Sequence, residues 1–410
     1  MSTVDAETDA MRSAWRLVWE SLAPIGRDPS SGGYLRLSWS PADLAAREWF
    51  VTQARSRGLD VETDRNGNLW AWWGDPSAGD AVVTGSHLDS VPHGGAFDGA
   101  LGVAAALLAV DTLRARGFAP RRPIGIVVFT EEEGSRFGVA CLGSRLLTGV
   151  VDPARARDLT DANGTTLTQA LAEAGLDPTA IGPEPERLAR IRSFVELHIE
   201  QGRGLARPVG VASGIWPHGR WRLDVAGEGN HAGTTLMADR RDPMLTAAFA
   251  VLAVNKEARL LGAHATVGRL SVHPNATNAV PEQVTVWIDA RAAQQSTLDL
   301  FVANVRRRVA ERAERDGTAV TLAAESVSCA VAFDAALRDR LVATLGPDTP
   351  VLGTAAGHDA GVLATAGVPT AMLFVRNPTG VSHSPAEHAT DDDCVAGIAA
   401  LARVLEDLAC

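Results

Sequence analysis

At 410 residues the chain exceeds what one hydrophobic core comfortably serves, so two domains are expected. Hydrophobic residues make up 46% and charged ones 21%, an ordinary globular balance, and a net charge of -11 argues against nucleic acid as the main partner, because phosphate binding needs a basic surface. Cys141, Cys329, Cys394 and Cys410 form no CxxC pair, no apolar window reaches the ~18 residues of a membrane span, and the acidic N-terminus shows no export signal, so a cytoplasmic protein with reduced thiols is expected.

Taken in order, residues 10–25 carry apolar positions at helical spacing (Trp15, Val18, Leu22), and a second helix is predicted from Ser40-Pro41 towards Gly58, with Ser40 as cap. Asp64 to Gly67 reads as a hairpin turn before the apolar run Leu69 to Trp73. The stretch Ala81 to Gly99 follows, in which Ala81, Val82 and Val83 form a buried strand leading into His87, Asp89 and Asp98. A helix is predicted from Leu101 to Gly117, then a second buried strand, Ile124 to Phe129, ending in Glu131, Glu132 and Glu133. Phe194 to Ile199 is a further strand, delivering Glu196, His198, Glu200 and Gln201.

The character then changes. Trp221 to Val225 and Val284 to Ala290 alternate like half-exposed antiparallel strands, and Pro243 to Leu261 and Thr297 to Ala313 read as helices. This predicts an inserted α+β domain over 213–328, within a discontinuous catalytic domain of 1–212 and 329–410. The tail returns to a strand (Ala371 to Phe374), a loop holding His383, and a helix from Asp391 to Leu408.

A lone histidine near a strand end is usually a hydrogen-bonding residue. Here His87, Asp98, Glu133, His198 and His383 all lie at or near the ends of apolar runs, where open α/β sheets place their sites, and together they are enough for two metal ions with one carboxylate between them. Asp89, two residues after His87, suits either a hydrogen bond to that ring or a turn cap. The three adjacent glutamates are costly at a buried strand end unless cations compensate; one as ligand and one as proton shuttle fits, and periodicity does not say which is which.

The motifs GSHLDSVPHGGAFDGALGV, FTEEEGSRFGVACLGSRLLTG, ELHIEQGRGL, GEGNHAGTTLMADRRDP, HPNATNAVP, AGHDA and GVSHSPAEH, in that order, resemble the M20 metallopeptidase family. The resemblance is to its amidase branch of allantoate amidohydrolases, N-carbamoyl-L-amino-acid hydrolases and β-ureidopropionases. It implies a metallopeptidase-like α/β domain, with a mixed sheet flanked by helices, and an inserted α+β dimerisation or lid domain. It also implies two divalent ions per subunit, with zinc or manganese foremost and nickel or cobalt also fitting, and a homodimer built through the inserted domain.

Residue by residue, the resemblance implies His87, Asp98, Glu133, His198 and His383 as ligands, Asp98 bridging, Asp89 orienting His87, and Glu132 as general base. It places His231 at the developing oxyanion, across the dimer, and Gln201, Asn278, Arg291, Gly357 and His358 near the substrate, Arg291 gripping a carboxylate. The chain departs from the family at Leu236, at Thr354-Ala355, and at Ala106 and Leu108; the change before Gly357 bears on specificity. The expected activity is hydrolysis of a ureido or carbamoyl C–N bond in a small carboxylate substrate, allantoate first and N-carbamoyl-L-amino acids second. Aminoacylase or peptidase activity comes third, and a non-catalytic binding protein is the contrasting class.

Overall fold

The computed structural model describes residues 3–410. The chain divides into two units, one of 1–214 with 332–410 and another of 215–331. The joints fall two or three residues beyond those read from the sequence, because the strand that ends the first segment continues to Ile215. No helix among the described residues is long and apolar enough to cross a membrane.

In the first unit, α1 (Thr3–Leu22) buries Met11, Trp15, Val18 and Leu22, one face at helical spacing. Helix α2 (Pro41–Ser56) opens with the Ser40 side chain accepting from the Asp43 amide and Pro41 in its first turn. The hairpin of β1 (Asp60–Thr63) and β2 (Leu69–Trp73) pairs Thr63 with Leu69 around the foreseen turn. Strand β3 (Ala81–His87), helix α3 (Ala100–Ala115) and strand β4 (Ile124–Phe129) follow, both strands wholly buried. Short helices α4 (Leu142–Leu147), α5 (Pro153–Arg157), α6 (Leu167–Glu173) and α7 (Pro185–Leu188) lead to β5 (Ile191–Ile199) and β6 (Val209–Ile215).

The second unit holds β7 (His218–Ala226), β8 (Asn230–His231), α8 (Pro243–Leu261), β9 (His264–His273), β10 (Ala279–Val280), β11 (Gln283–Arg291), α9 (Gln295–Asp316) and β12 (Ala319–Ser328). Four strands form an antiparallel sheet in the order β12-β7-β11-β9, on which α8 and α9 pack. Every second residue of β7 and β11, among them Trp221, Leu223, Val225, Val284, Val286 and Ile288, enters a core of its own. Strands β9 and β12, which the sequence reading passed over, are its edges.

The chain closes with β13 (Val331–Ala332), α10 (Ala335–Leu345), β14 (Val351–Thr354), α11 (Asp359–Thr365), β15 (Thr370–Val375) and α12 (Asp391–Ala409). The main sheet runs β1-β2-β4-β3-β5-β15-β6, with β13 and β14 also along β6. Its centre, β4-β3-β5-β15, is parallel, and antiparallel strands flank it on either side. This is the expected mixed sheet flanked by helices. Helix α3 is almost wholly buried between this sheet and α12, its alanines permitting close approach.

Candidate metal centre

The four parallel strands end on one edge, and register fixes what they bring there. His87 pairs with Phe129 of β4, and Phe374 of β15 with His198 of β5. Asp98 stands just before α3, and His383 in the loop after β15. Gly99, at the head of α3, has φ +65, and a Cβ there would stand 2.5 Å from the His87 ring, so glycine is what admits the imidazole.

These side chains form two groups that share one carboxylate. Ligand atoms of His87, Asp98 and His198 lie within 4.8 Å of one another, and so do those of Asp98, Glu133 and His383. Asp98 Oδ1 faces His87 Nε2 at 3.6 Å and His198 Nε2 at 3.2 Å, whereas Oδ2 faces His383 Nε2 at 3.3 Å. Glu133 Oε2 lies 3.5 Å from the same His383 nitrogen.

The residues fit a pair of cations on three observations. His87 and His198 donate their Nδ1 protons to the main-chain oxygens of Asp89 (3.0 Å) and Ile199 (2.8 Å), so that in the neutral ring each Nε2 is a lone pair. Those lone pairs face a carboxylate oxygen, acceptor against acceptor, an arrangement that a cation between them relieves. His87 Nε2 and Glu133 Oε1 are buried with no hydrogen-bond partner among the described residues. Charge agrees: burial and then Asp98 push Glu133 up to about 7, while Asp98 above all lifts His383 to about 9. Nitrogen and carboxylate donors suit zinc, manganese and similar divalent ions.

Backbone geometry sorts the three glutamates. Glu131 adopts φ 54, and its carboxylate turns back to accept the amides of Arg136 (2.9 Å) and Phe137 (2.7 Å), capping its own loop. Glu132 and Glu133 remain facing the cluster, Glu132 Oε2 being 3.7 Å from His87 Nε2. Burial, ahead of neighbouring charges, pushes the Glu132 carboxyl well up. That is the direction a proton shuttle needs.

Asp89 differs from expectation in one respect. The His87 ring bonds to the Asp89 main-chain oxygen, and the carboxylate stands back at 3.6 Å. Its oxygens are taken by the amides of Glu132 (3.2 Å) and Glu133 (3.1 Å), so it holds the acidic loop as well as the ligand. Gln201 Nε2 donates to Asp98 Oδ2 (3.0 Å) and Ser382 Oγ (3.1 Å), placing its amide beside the carboxylate that the two groups share. His358 is buried against His198, ring centroids 4.5 Å apart, and burial above all holds it well below the usual histidine range. A Cβ on Gly357 would meet nothing within 4 Å, so the backbone there is open.

His231, Asn278 and Arg291 belong to the second unit. His231 Nδ1 accepts the amides of Gly233 (3.0 Å) and Thr234 (3.2 Å), which leaves Nε2 as the proton-bearing nitrogen on an exposed ring. The Asn278 carbonyl accepts the Ala232 amide, tying its strand to that of His231. Arg291 Nε donates to Asp289 Oδ1 at 3.2 Å.

Sequence reasoning missed the buried groups behind the cluster. Asn68 Oδ1 accepts the Thr130 amide (3.0 Å), while Asn68 Nδ2 donates to Asp64 Oδ2 (2.8 Å). The Asp-Arg-Asn-Gly-Asn turn is therefore a scaffold beneath the glutamates. Glu196 accepts from Ser86 Oγ (2.9 Å) and the Ala360 amide (3.1 Å), and Cys141 Sγ donates to Glu132 Oε1 (3.5 Å). Glu387, described below, also belongs here.

Two groups of candidate metal ligands thus meet at the carboxyl ends of parallel strands in an α/β unit, and the chain belongs to peptidase family M20/M25/M40, whose profile matches residues 83–407. Within that family it is similar to an N-carbamoyl-L-amino acid amidohydrolase of Geobacillus stearothermophilus, 38% identical over 96% of this chain and 98% of the relative. It is 33% identical to the allantoate amidohydrolase of Escherichia coli, over 95% and 96% of the two chains. Among solved structures, a hydantoinase/carbamoylase family amidase from Burkholderia ambifaria superposes with a TM-score of 0.85 at 32% identity, covering 98% of each chain. Hydrolysis of C–N bonds is the activity these relatives share.

Proposed function

We propose that this chain is a binuclear metal amidohydrolase that cleaves a ureido or carbamoyl C–N bond in a small carboxylate substrate. The observation that carries the reading is the division of Asp98: one oxygen faces His87 and His198, the other His383, beside Glu133. One ion would be held by His87, Asp98 and His198, the other by Asp98, Glu133 and His383. Divalent cations there would polarise the scissile carbonyl and acidify the attacking water. Glu132 takes the water's proton and returns it to the departing nitrogen, and its buried, cluster-facing carboxyl suits both transfers. Roles for His231, Asn278 and Arg291 in holding substrate rest on their motifs; the outward Nε2–H of His231 supports a donor to an oxyanion.

Allantoate and N-carbamoyl-L-amino acids are the two candidate substrates. The Asp-Arg-Asn-Gly-Asn and Ile-Trp-Pro-His-Gly-Arg stretches resemble those of bacterial allantoate enzymes, although Asp64, Asn66 and Asn68 are buried beneath the acidic loop. The relative of higher identity reported above acts, by its name, on N-carbamoyl-L-amino acids. The two substrates therefore stand level. We also read the second unit as the dimerisation element: Leu245, Leu252 and Leu260 are 49%, 70% and 66% exposed along one face of α8, beside the edge strand β9.

The test is metal analysis together with ammonia release from both substrates, 3-ureidopropionate and acyl amino acids. Two ions per chain are expected, and Glu132→Gln should keep both while losing turnover by about 10²–10⁴-fold. Wild-type turnover in that variant would remove Glu132 as the base.

A further inference from the structure

His87 and His198 sit in strands of the main sheet, Asp98 at the head of α3, and Glu133 on the loop whose amides Asp89 holds, whereas His383 lies on the loop after β15. Half of its side chain is exposed, against 1% for His87 and His198, 5% for Asp98 and 6% for Glu133. It sits on a loop at φ 54, a left-handed conformation that a non-glycine residue keeps only when its surroundings hold it. What holds it is Glu387, four residues on and 4% exposed. Glu387 Oε1 accepts the main-chain amides of Phe97 (2.9 Å) and Asp98 (3.0 Å). Its Oε2 accepts the hydroxyl of Ser382 (3.0 Å), the residue before His383. Ser382 Oγ in turn accepts from Gln201 Nε2 (3.1 Å), which also donates to Asp98 Oδ2 (3.0 Å). A closed ring of hydrogen bonds thus joins the shared carboxylate to the exposed ligand. Gly95 makes room for it, since a Cβ there would lie 2.2 Å from Glu387 Oε1.

We propose that Glu387 is a positioning residue that sets the distance between Asp98 and His383, and through it the affinity for the ion these two share with Glu133. The proposal rests on the two-ion reading above. The other ion would be held by His87, His198 and the shared Asp98, and Glu387 reaches that set only through the Asp98 amide, so the larger effect falls on the ion that His383 helps to hold. Both oxygens of Glu387 act as acceptors. A glutamine keeps one oxygen for the two amides and turns its NH₂ to Ser382, whose hydroxyl can accept instead; alanine abolishes both links. Ser382→Ala cuts only the link to the His383 loop.

The experiment titrates metal-free protein with Zn²⁺ against a competing chelator, resolving the two binding steps, with melting temperature followed in parallel. Glu387→Ala should weaken one step by about 10–100-fold and leave the other within about threefold. Glu387→Gln should stay within a few-fold of wild type, and Ser382→Ala should weaken the same step by a smaller factor. Equal loss of both steps with a lowered melting temperature would make Glu387 merely structural, and wild-type affinity in Glu387→Ala would overturn the proposal. If Glu387→Ala does not fold, unchanged affinity in Ser382→Ala overturns it instead. A wild-type chain that binds only one ion would count against the two-ion reading, independently of Glu387.

Discussion

Replacing Gly102 with alanine adds one methyl group at the tightest point between α3 and the sheet. The new Cβ would stand 2.2 Å from the Leu197 carbonyl oxygen and 2.8 Å from the Ser86 Cβ. The carbonyl belongs to β5, which is paired on both sides, so it cannot move aside. The helix has to lift by about 1 Å to restore an ordinary contact in a close-packed interior. Two effects compete: alanine favours a helix over glycine by about 1 kcal/mol, and overpacking costs about 1–3 kcal/mol. With main chain as the obstacle the cost falls at the upper end of its range and the second prevails, for a net loss of up to about 2 kcal/mol. The lift also carries Asp98 away from His198, now 3.2 Å apart, so Zn²⁺ affinity should fall about tenfold. Urea unfolding followed by tryptophan fluorescence and the chelator titration measure the two effects. A variant as stable as wild type, with unchanged Zn²⁺ affinity, would refute the idea that this contact seats the helix and, through it, the ligand.

Asn68→Ala strands the buried Thr130 amide and removes one of the two donors to Asp64 Oδ2, which keeps the Trp70 indole; chemical denaturation should show a loss of about 1–3 kcal/mol, and a loss below about 0.5 would mean that water replaces the side chain. Leu252→Glu places a charge on the apolar face of α8 and should shift sedimentation from dimer to monomer without lowering the second unit's melting temperature; a persistent dimer would move the interface elsewhere. His218 is held below its ordinary 6.5, by burial first and also by the Arg291 charge. Folded, it binds fewer protons than unfolded, so the stability it contributes is complete above pH 6.5 and is lost as pH falls below it. The stability difference between wild type and His218→Gln should therefore be flat above about pH 7 and shrink below about pH 6.5, and a difference that grows on acidification would contradict this.

What was legible in the sequence follows from distance along the chain. Ile124–Phe129 was read to the residue because it is an uninterrupted run without polar side chains, and Pro243–Leu261 because a proline opens it and a glycine follows it. Ligands at strand ends were visible because parallel strands all point their carboxyl ends to one edge. Strands β9 and β12 were missed because, as half-exposed edges, they carry other residues among the apolar ones, glycine, arginine and serine in β9 and threonine, glutamate and serine in β12. The glutamates could not be told apart, since only the turn at Glu131 separates one from its neighbours. Asn68 and Glu387 gave no local sign: the amides they hold lie 62 and about 290 residues away.

The order of strands in the main sheet also sets when the centre can exist. Strand β15, nearly the last element, lies between β5 and β6, both made more than 150 residues earlier. As the chain leaves the ribosome, the sheet stays open along both edges until β15 emerges, and only afterwards does His383 follow. A nascent chain can assemble His87, Asp98 and His198 early, but the other half of the centre awaits the carboxyl terminus. Until then the unpaired edges of β5 and β6 are where the growing protein is open to wrong pairing.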